Sequence, residues 1–235
     1  MSETGRIKLS QIAPSVVTVF AICAGLTSVR MSFEGHLEFA LFYILIAVFL
    51  DAVDGKLARY LDTASPFGAE LDTLADFFNF GIAPGILLYH TLYIHTEYAN
   101  LGWLASMVLA VCCALRLARF NAAIDAEDQP HKSAGFLTGV PAPAGAGIAF
   151  LPLYLWLVTE NEVFRNPAIV APWIVFVAIL MISNVATFSW GSIRLRRHIR
   201  LEAILLLALF GTALFSEPWI TLIVIAVGYI AMIPF

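Results

Sequence analysis

Charge is what this sequence has least of. Lys, Arg, Asp and Glu make up 13% of the 235 residues, hydrophobic residues 60%, and the mean hydropathy is +0.87. That balance excludes an ordinary soluble globular domain. Cysteine is scarce too: Cys23, Cys112 and Cys113 all lie in apolar runs, and no CxxC spacing occurs. Adjacent Cys112 and Cys113 are poor partners for each other, so the three read as reduced core residues. His36, His90, His95, His131 and His198 are scattered without metal-ligand spacing. There is no internal repeat, low-complexity tract or interdomain linker. The net charge of −4 is uninformative about nucleic acid, because the distribution of charge matters and its sum does not. No nucleic-acid partner is expected.

What is present is long apolar sequence. At about 20 apolar residues per span, it divides into segments near 14–30, 37–60, 66–93, 101–120, 138–158, 168–190, 201–215 and 218–235. The expectation is an all-α, polytopic membrane bundle of about eight transmembrane helices. It forms one membrane-embedded domain over 1–235, with a core near 14–145 and C-terminal helices near 168–235. The last two segments are short and fit either two tilted spans or one hairpin. The first run, Ile12 to Val29, follows a short basic leader (Arg6, Lys8) and lacks a small-residue cleavage site. Phe20-Ala21-Ile22-Cys23 is a poor lipobox, so an uncleaved first span is expected.

Orientation follows from Lys and Arg placement. With the N-terminus inside, inner segments hold Arg6, Lys8, Lys56, Arg59, Arg116, Arg119, Lys132, Arg194, Arg196, Arg197 and Arg200, which is 11 of 13. Outer loops carry Glu34, Glu38, Glu97, Glu160, Glu162 and Glu217. Both termini are therefore expected on the cytoplasmic side of the inner (cytoplasmic) membrane. The run Arg194, Arg196, Arg197 and Arg200 reads as a topology determinant, with attraction to anionic headgroups as the other account. The polar connection 121–137, containing Asp125, Glu127, Asp128, His131 and Lys132, is either functional or a plain solvated loop.

Against this poverty of charge, four aspartates at helical spacing fall within 26 positions: Asp51 with Asp54, and Asp72 with Asp76. On helices Asp51 and Asp54 share a face at i, i+3, and Asp72 and Asp76 share one at i, i+4. The short connection Leu61 to Ser65 makes spans two and three a tight antiparallel hairpin that sets the pairs face to face. Charge at membrane depth is expensive and calls for a positive partner. Hard oxygen ligands without Cys or His favour Mg²⁺ or Mn²⁺, and two such ions can clamp a diphosphate. Gly55, Ala58 and Gly68 permit close approach of a helix or a ligand. A proton or cation pathway in a transporter is the alternative for the Asp set, and a membrane anchor is the alternative for Arg59.

The pattern D-x2-D-G-x2-A-R-x8-G-x3-D-x3-D, running from Asp51 to Asp76, resembles the signature of the CDP-alcohol phosphotransferase family. The resemblance implies metal-dependent displacement of CMP from a CDP-linked lipid by an alcohol. It implies that Asp51, Asp54, Asp72 and Asp76 build the metal site, and that Asp76 is the general base. It places Gly55, Ala58, Arg59 and Gly68 at the nucleotide end, and it implies a homodimer. Phe67 to Asp76, Phe80-Gly81-Ile82-Ala83-Pro84, Ala114 to Asn121 and Phe136 to Pro143 look like the phosphatidylserine synthase branch. The first span is similar to that branch's Pro-Asn-x-x-Thr opening, with Ser15 in place of Asn and Thr18 kept.

That branch implies CDP-diacylglycerol and L-serine as substrates, among membrane lipids. Another acceptor, such as glycerol 3-phosphate, inositol phosphate or choline, stays open. Arg116 and Arg119, at i, i+3 on one helix face, and Asn121 beside them are candidates for the serine carboxylate or lipid phosphate. Interfacial snorkelling is the plainer account of either arginine. Gly139-Val140-Pro141 either shapes the acceptor pocket or starts a helix.

Overall fold

A computed structural model describes residues 9–63, 65–124, 136–188 and 200–233. Apolar sequence closes its own backbone hydrogen bonds as helix, and helix dominates here. The chain runs α1 (Leu9–Phe33), α2 (Leu37–Tyr60), α3 (Pro66–Phe77), α4 (Ala83–Leu92), α5 (Ala99–Ile124), α6 (Ala142–Ala149), α7 (Leu151–Thr159), α8 (Pro167–Ile182), α9 (Arg200–Ser216) and α10 (Pro218–Ala231). α3 and α4 form one rod joined by a π-helical turn, Phe78–Ile82, and α6 and α7 another, interrupted at Phe150. The rods fall on the segments read from hydropathy.

Four stretches are long and apolar enough to cross a membrane: Ile12–Phe33, Pro66–Leu92, Ala99–Ala122 and Ala142–Thr159. Pro167–Ile182 and Pro218–Ala231 are shorter apolar helices. α2 is 24 residues long but carries Glu38, Asp51, Asp54, Lys56 and Arg59. Arg6, Lys8, the loop group Asp125 to Lys132 and Arg194, Arg196 and Arg197 lie outside the described residues.

Three expectations need correction. The segment 168–190 is helical only to Ile182; Ser183 is extended, and β2 (Ala186–Phe188) pairs antiparallel with β1 (Phe136–Thr138). β-branched and aromatic residues at these chain ends favour a short ribbon over a further helical turn. The segment 138–158 becomes helical only at Ala142, because Gly139 has φ +77° and Pro141 is extended. The hairpin of α2 and α3 has the short turn expected, with Asp62 left-handed at φ 51°. Its helices do not pack tightly on each other: α1 lies along α2 and also contacts α3 and α4. α5 packs on α4 and α8, α6 and α7 reach α10, and α9 lies against α10.

Two helix starts, those of α3 and α8, are capped by side chains. Ser65 is extended and its Oγ accepts from the Gly68 N–H at 3.0 Å, with Pro66 opening α3. Asn166 caps α8 in the same way ahead of Pro167. The π-turn has a local cause. Pro84 has no N–H to donate to Phe80 in the α register and its ring crowds that carbonyl, so Ala83 donates five residues back to Phe78. The extra residue turns Asn79 inward against Gly25 of α1, where an added Cβ would collide with its amide.

Gly139 holds the ribbon to the end of α8. A Cβ there would lie 2.6 Å from the Met181 carbonyl oxygen and 2.9 Å from that of Ser183, on a left-handed backbone. Gly139→Ala is therefore expected to cost about 1–3 kcal/mol, measured by thermal unfolding in detergent. Gly211→Ala, where an added methyl meets nothing within 4 Å, should leave stability unchanged or raise it.

Candidate active site

Four helical segments converge on the carboxylates. Asp51 from α2 and Asp72 and Asp76 from α3 bring one oxygen each within 4.8 Å of one another, all three half-buried. Asp54 stands apart from that trio. It is only 3% exposed, and neither oxygen has a hydrogen bond of good geometry, the Thr18 hydroxyl and the Gly55 N–H being its neighbouring donors. Asp76 Oδ1 is also buried and unpartnered.

Electrostatics decides what such a group is for. At 4.8 Å and an effective dielectric near 20, each ionised pair repels by about 3 kcal/mol. Arg116 of α5 is the cation beside Asp76, and it is one charge against several. Oxygen-only donors, crowding of like charge and orphaned buried carboxylate atoms all fit a divalent cation. Asp51, Asp72 and Asp76, with Asp54 nearby, are the residues able to hold it.

Next to the carboxylates lies a cavity of about 150 Å³. Its walls are Pro14, Ser15 and Thr18 of α1, Asp54, Gly55 and Ala58 of α2, Thr63 and Ser65 of the turn, and Gly68, Ala69 and Asp72 of α3. It occupies the space that the splayed α2 and α3 leave between them. An added Cβ on Gly55 meets nothing within 4 Å, so this glycine opens the cavity and does not serve helix packing. Thr18 donates its hydroxyl to the Pro14 carbonyl at 3.1 Å and lies beside Asp54 on the cavity wall.

The remaining sequence candidates separate. Arg59 is exposed and its Nε donates to the Gly55 carbonyl at 2.9 Å, just outside the cavity walls. Arg116 is half-buried, its Nε without a partner, within electrostatic reach of Asp76 and of Tyr229 on α10. Arg119 is already engaged: its guanidinium donates to Asn184 Oδ1 at 3.0 Å and to the Ser183 carbonyl at 3.1 Å, tying α5 to the end of α8. Asn121 donates to Thr73 Oγ1 at 3.0 Å, which fixes α5 to α3 between the levels of Asp72 and Asp76.

Sequence reasoning had left Pro14, Thr63, Ser65 and Ala69 out of the site and assigned Ser15 nothing. Two signals were available. Ser15 shares the Thr18 face at i, i+3, and Ser65 before Pro66 is a helix start that must sit at the mouth of the α2–α3 turn.

A second cavity, of about 430 Å³, is almost wholly apolar. It runs between α2, α6, α7, α9 and α10, with Val48, Phe49, Ala144, Ile148, Leu222 and Ala226 among its walls. Ala52, adjacent in sequence to Asp51, forms its edge. A carboxylate-flanked hollow and an oily one thus both draw walls from α2, as an amphiphilic substrate requires.

The sequence profile of CDP-alcohol phosphatidyltransferases matches residues 11–190. The chain belongs to that family. A second profile, CDP-alcohol phosphatidyltransferase 2, matches residues 198–234. The chain is 37% identical over 225 residues to the CDP-diacylglycerol–serine O-phosphatidyltransferase of Mycobacterium leprae (strain TN), covering 96% of this chain and 74% of that protein. It is 34% identical to the enzyme of the same name from Mycobacterium tuberculosis (strain ATCC 25618 / H37Rv), covering 96% and 78%. Over 169 residues it is 32% identical to that of Methanocaldococcus jannaschii, covering 72% and 70%. Membership makes the chain a transferase enzyme and leaves the transporter reading of the carboxylates without support.

Gly55→Val should separate room for a ligand from helix packing. Cytidine nucleotide affinity is expected to fall by at least about tenfold, with unfolding shifted by less than about 1 kcal/mol, because the new side chain enters empty space. Calorimetric titration and a thermal melt of the same preparation check both halves.

Proposed function

We propose that this protein is a CDP-diacylglycerol–serine O-phosphatidyltransferase, making phosphatidylserine and CMP. The observation that carries the reading is the carboxylate trio set against a small-residue cavity, at the positions of the family signature. Similarity to serine-using relatives over 96% of the chain supports the choice of acceptor.

In this mechanism the cytidine diphosphate end lies in the cavity between Thr18, Gly55, Ala58 and Gly68, with Arg59 at its rim. One acyl chain follows α2 from Asp51 past Ala52 into the apolar cavity. Mg²⁺ or Mn²⁺, two ions at full occupancy, held by Asp51, Asp54, Asp72 and Asp76, would neutralise the diphosphate. Asp76 accepts the proton of the serine hydroxyl as its oxygen bonds to the phosphorus on the diacylglycerol side. The bond from that phosphorus to the bridging oxygen breaks, and CMP leaves with the electron pair. Arg116 supplies a cation for the serine carboxylate beside the base. Arg119 and Asn121 act one step back, holding α5 in register with α8 and α3. The excess of Lys and Arg at the carboxylate end supports a cytoplasmic side for this chemistry and for both termini. The enzyme works as a homodimer in the cytoplasmic membrane.

Purified protein with CDP-diacylglycerol is expected to release CMP with L-serine, to lose that activity on chelation, and to regain it with Mg²⁺ or Mn²⁺. Release with glycerol 3-phosphate but not serine would reassign the acceptor. Asp76→Asn should lower kcat by about 10²–10⁴-fold, with nucleotide affinity changed only a few-fold. Near-normal turnover in that variant would remove Asp76 from the role of base.

A further inference from the structure

At the other end of the bundle is a third cavity, of about 240 Å³, that the reaction does not use. Leu37, on its wall, opens α2 fourteen residues before Asp51, which is about 21 Å along the helix. Its walls gather Ser32 from the end of α1 and Gly35 from the α1–α2 turn, His90 and Thr91 from the end of α4, Trp156 from α7, and Arg165. These residues come from four separate segments, so the hollow is built by the fold.

Its polar groups are disposed for an anion. Arg165 lies over the Trp156 ring, 4.4 Å from the ring centre. Among the described residues it has no carboxylate partner, although acids are close. Glu34 is taken by Arg30 at 2.8 Å, and Glu162 accepts the Trp156 indole N–H at 3.1 Å. Stacking therefore fixes the guanidinium while leaving its N–H edge uncommitted. Ser32 is buried with its hydroxyl 3.4 Å from His90 Nδ1, and the pair, sharing that one hydrogen bond, keeps one further proton to donate: the Ser32 hydroxyl or His90 Nε2–H, according to the tautomer.

The surroundings choose among anions. Phe33 sits edge-on to His90 at 4.8 Å between ring centres and is 58% exposed. Phe39, on the first turn of α2, and Val163 and Ile169, flanking Arg165, are also exposed. A cation stacked on tryptophan and rimmed by outward-facing apolar side chains suits a headgroup whose chains continue into lipid. We infer that this cavity binds the phosphodiester of an anionic phospholipid, in the leaflet opposite the carboxylate site. Arg165 takes the phosphate, the Ser32–His90 pair donates its one remaining proton to it, and Phe33 lies along the first acyl carbons.

The test is native mass spectrometry of the full chain released from phosphatidylcholine nanodiscs containing graded phosphatidylglycerol. The wild type should retain one phosphatidylglycerol. Arg165→Gln should weaken that retention by about tenfold, the loss of a charge-assisted contact. Thr91→Glu, which breaks no hydrogen bond and places a negative charge in the cavity, should do the same and serves if the arginine variant does not fold. Serine-dependent CMP release should be unchanged in both, since neither residue is near the carboxylates. Equal retention in the wild type and the variants would overturn the site. Displacement of the lipid by an equal concentration of inorganic phosphate would overturn the lipid as its ligand.

Discussion

Carboxylates held close together away from bulk water impose the one cost that this structure has to meet. Three oxygens within 4.8 Å repel one another, and two more on Asp54 are buried without a hydrogen bond of good geometry. A bundle of apolar helices left to maximise packing would not choose this. The arrangement persists because neighbouring elements hold it open. α1 carries the packing that α2 and α3 do not give each other, Ser65 starts α3 at the mouth of the turn, and Asn121 ties α3 to α5 through Thr73. The gap so maintained is the cavity. Site and fold are therefore the same fact: the helices are splayed where chemistry needs space, and packed where α1 and α5 close on them.

The parts legible in the sequence were those that composition and spacing encode directly. Long apolar runs gave the helices, because a chain at membrane depth has few other ways to satisfy its backbone. The four aspartates and the small residues between them were legible because charge is so rare in this sequence that each instance requires a reason. What was not legible depends on geometry between elements. The α2–α3 turn is short, and shortness suggested a tight hairpin; only α1, far earlier in sequence, shows that the two helices part. Arg116 and Arg119 look equivalent at i, i+3. One reaches inward to Asp76 and the other clamps the end of α8, because α8 stops at Ile182 and presents its last carbonyls there. That stop was missed, since Ser183 and Asn184 are weak breakers in an otherwise apolar run.

The π-turn shows how a local rule acquires a distant effect. Pro84 denies Phe80 its helical donor, the register slips by one residue, and Asn79 swings toward α1. α1 can receive it only because residue 25 is glycine. The slip begins two residues after Asp76 and so sets the angle between the segment bearing the carboxylates and α4 beyond it. The turn thereby fixes the direction from which α3 offers Asp72 and Asp76.

The C-terminal helices complete the site instead of decorating it. Taken as sequence, residues beyond about 145 carried little specific signal, because α9 and α10 are mostly apolar with scattered polar residues in no recognisable spacing. In the fold, Leu222, Ile225, Ala226 and Tyr229 of α10 and Phe210 and Leu214 of α9 wall the oily cavity that begins at Ala52. Tyr229 also lies within reach of Arg116, which lies beside Asp76. A lipid bound along α2 would then touch the last helix and the first carboxylate at once. The separate family match over 198–234 fits a segment with its own task. A reaction that joins a polar acceptor to a lipid needs a wall for each, and in this chain α2 contributes to both while the C-terminal helices close the oily one.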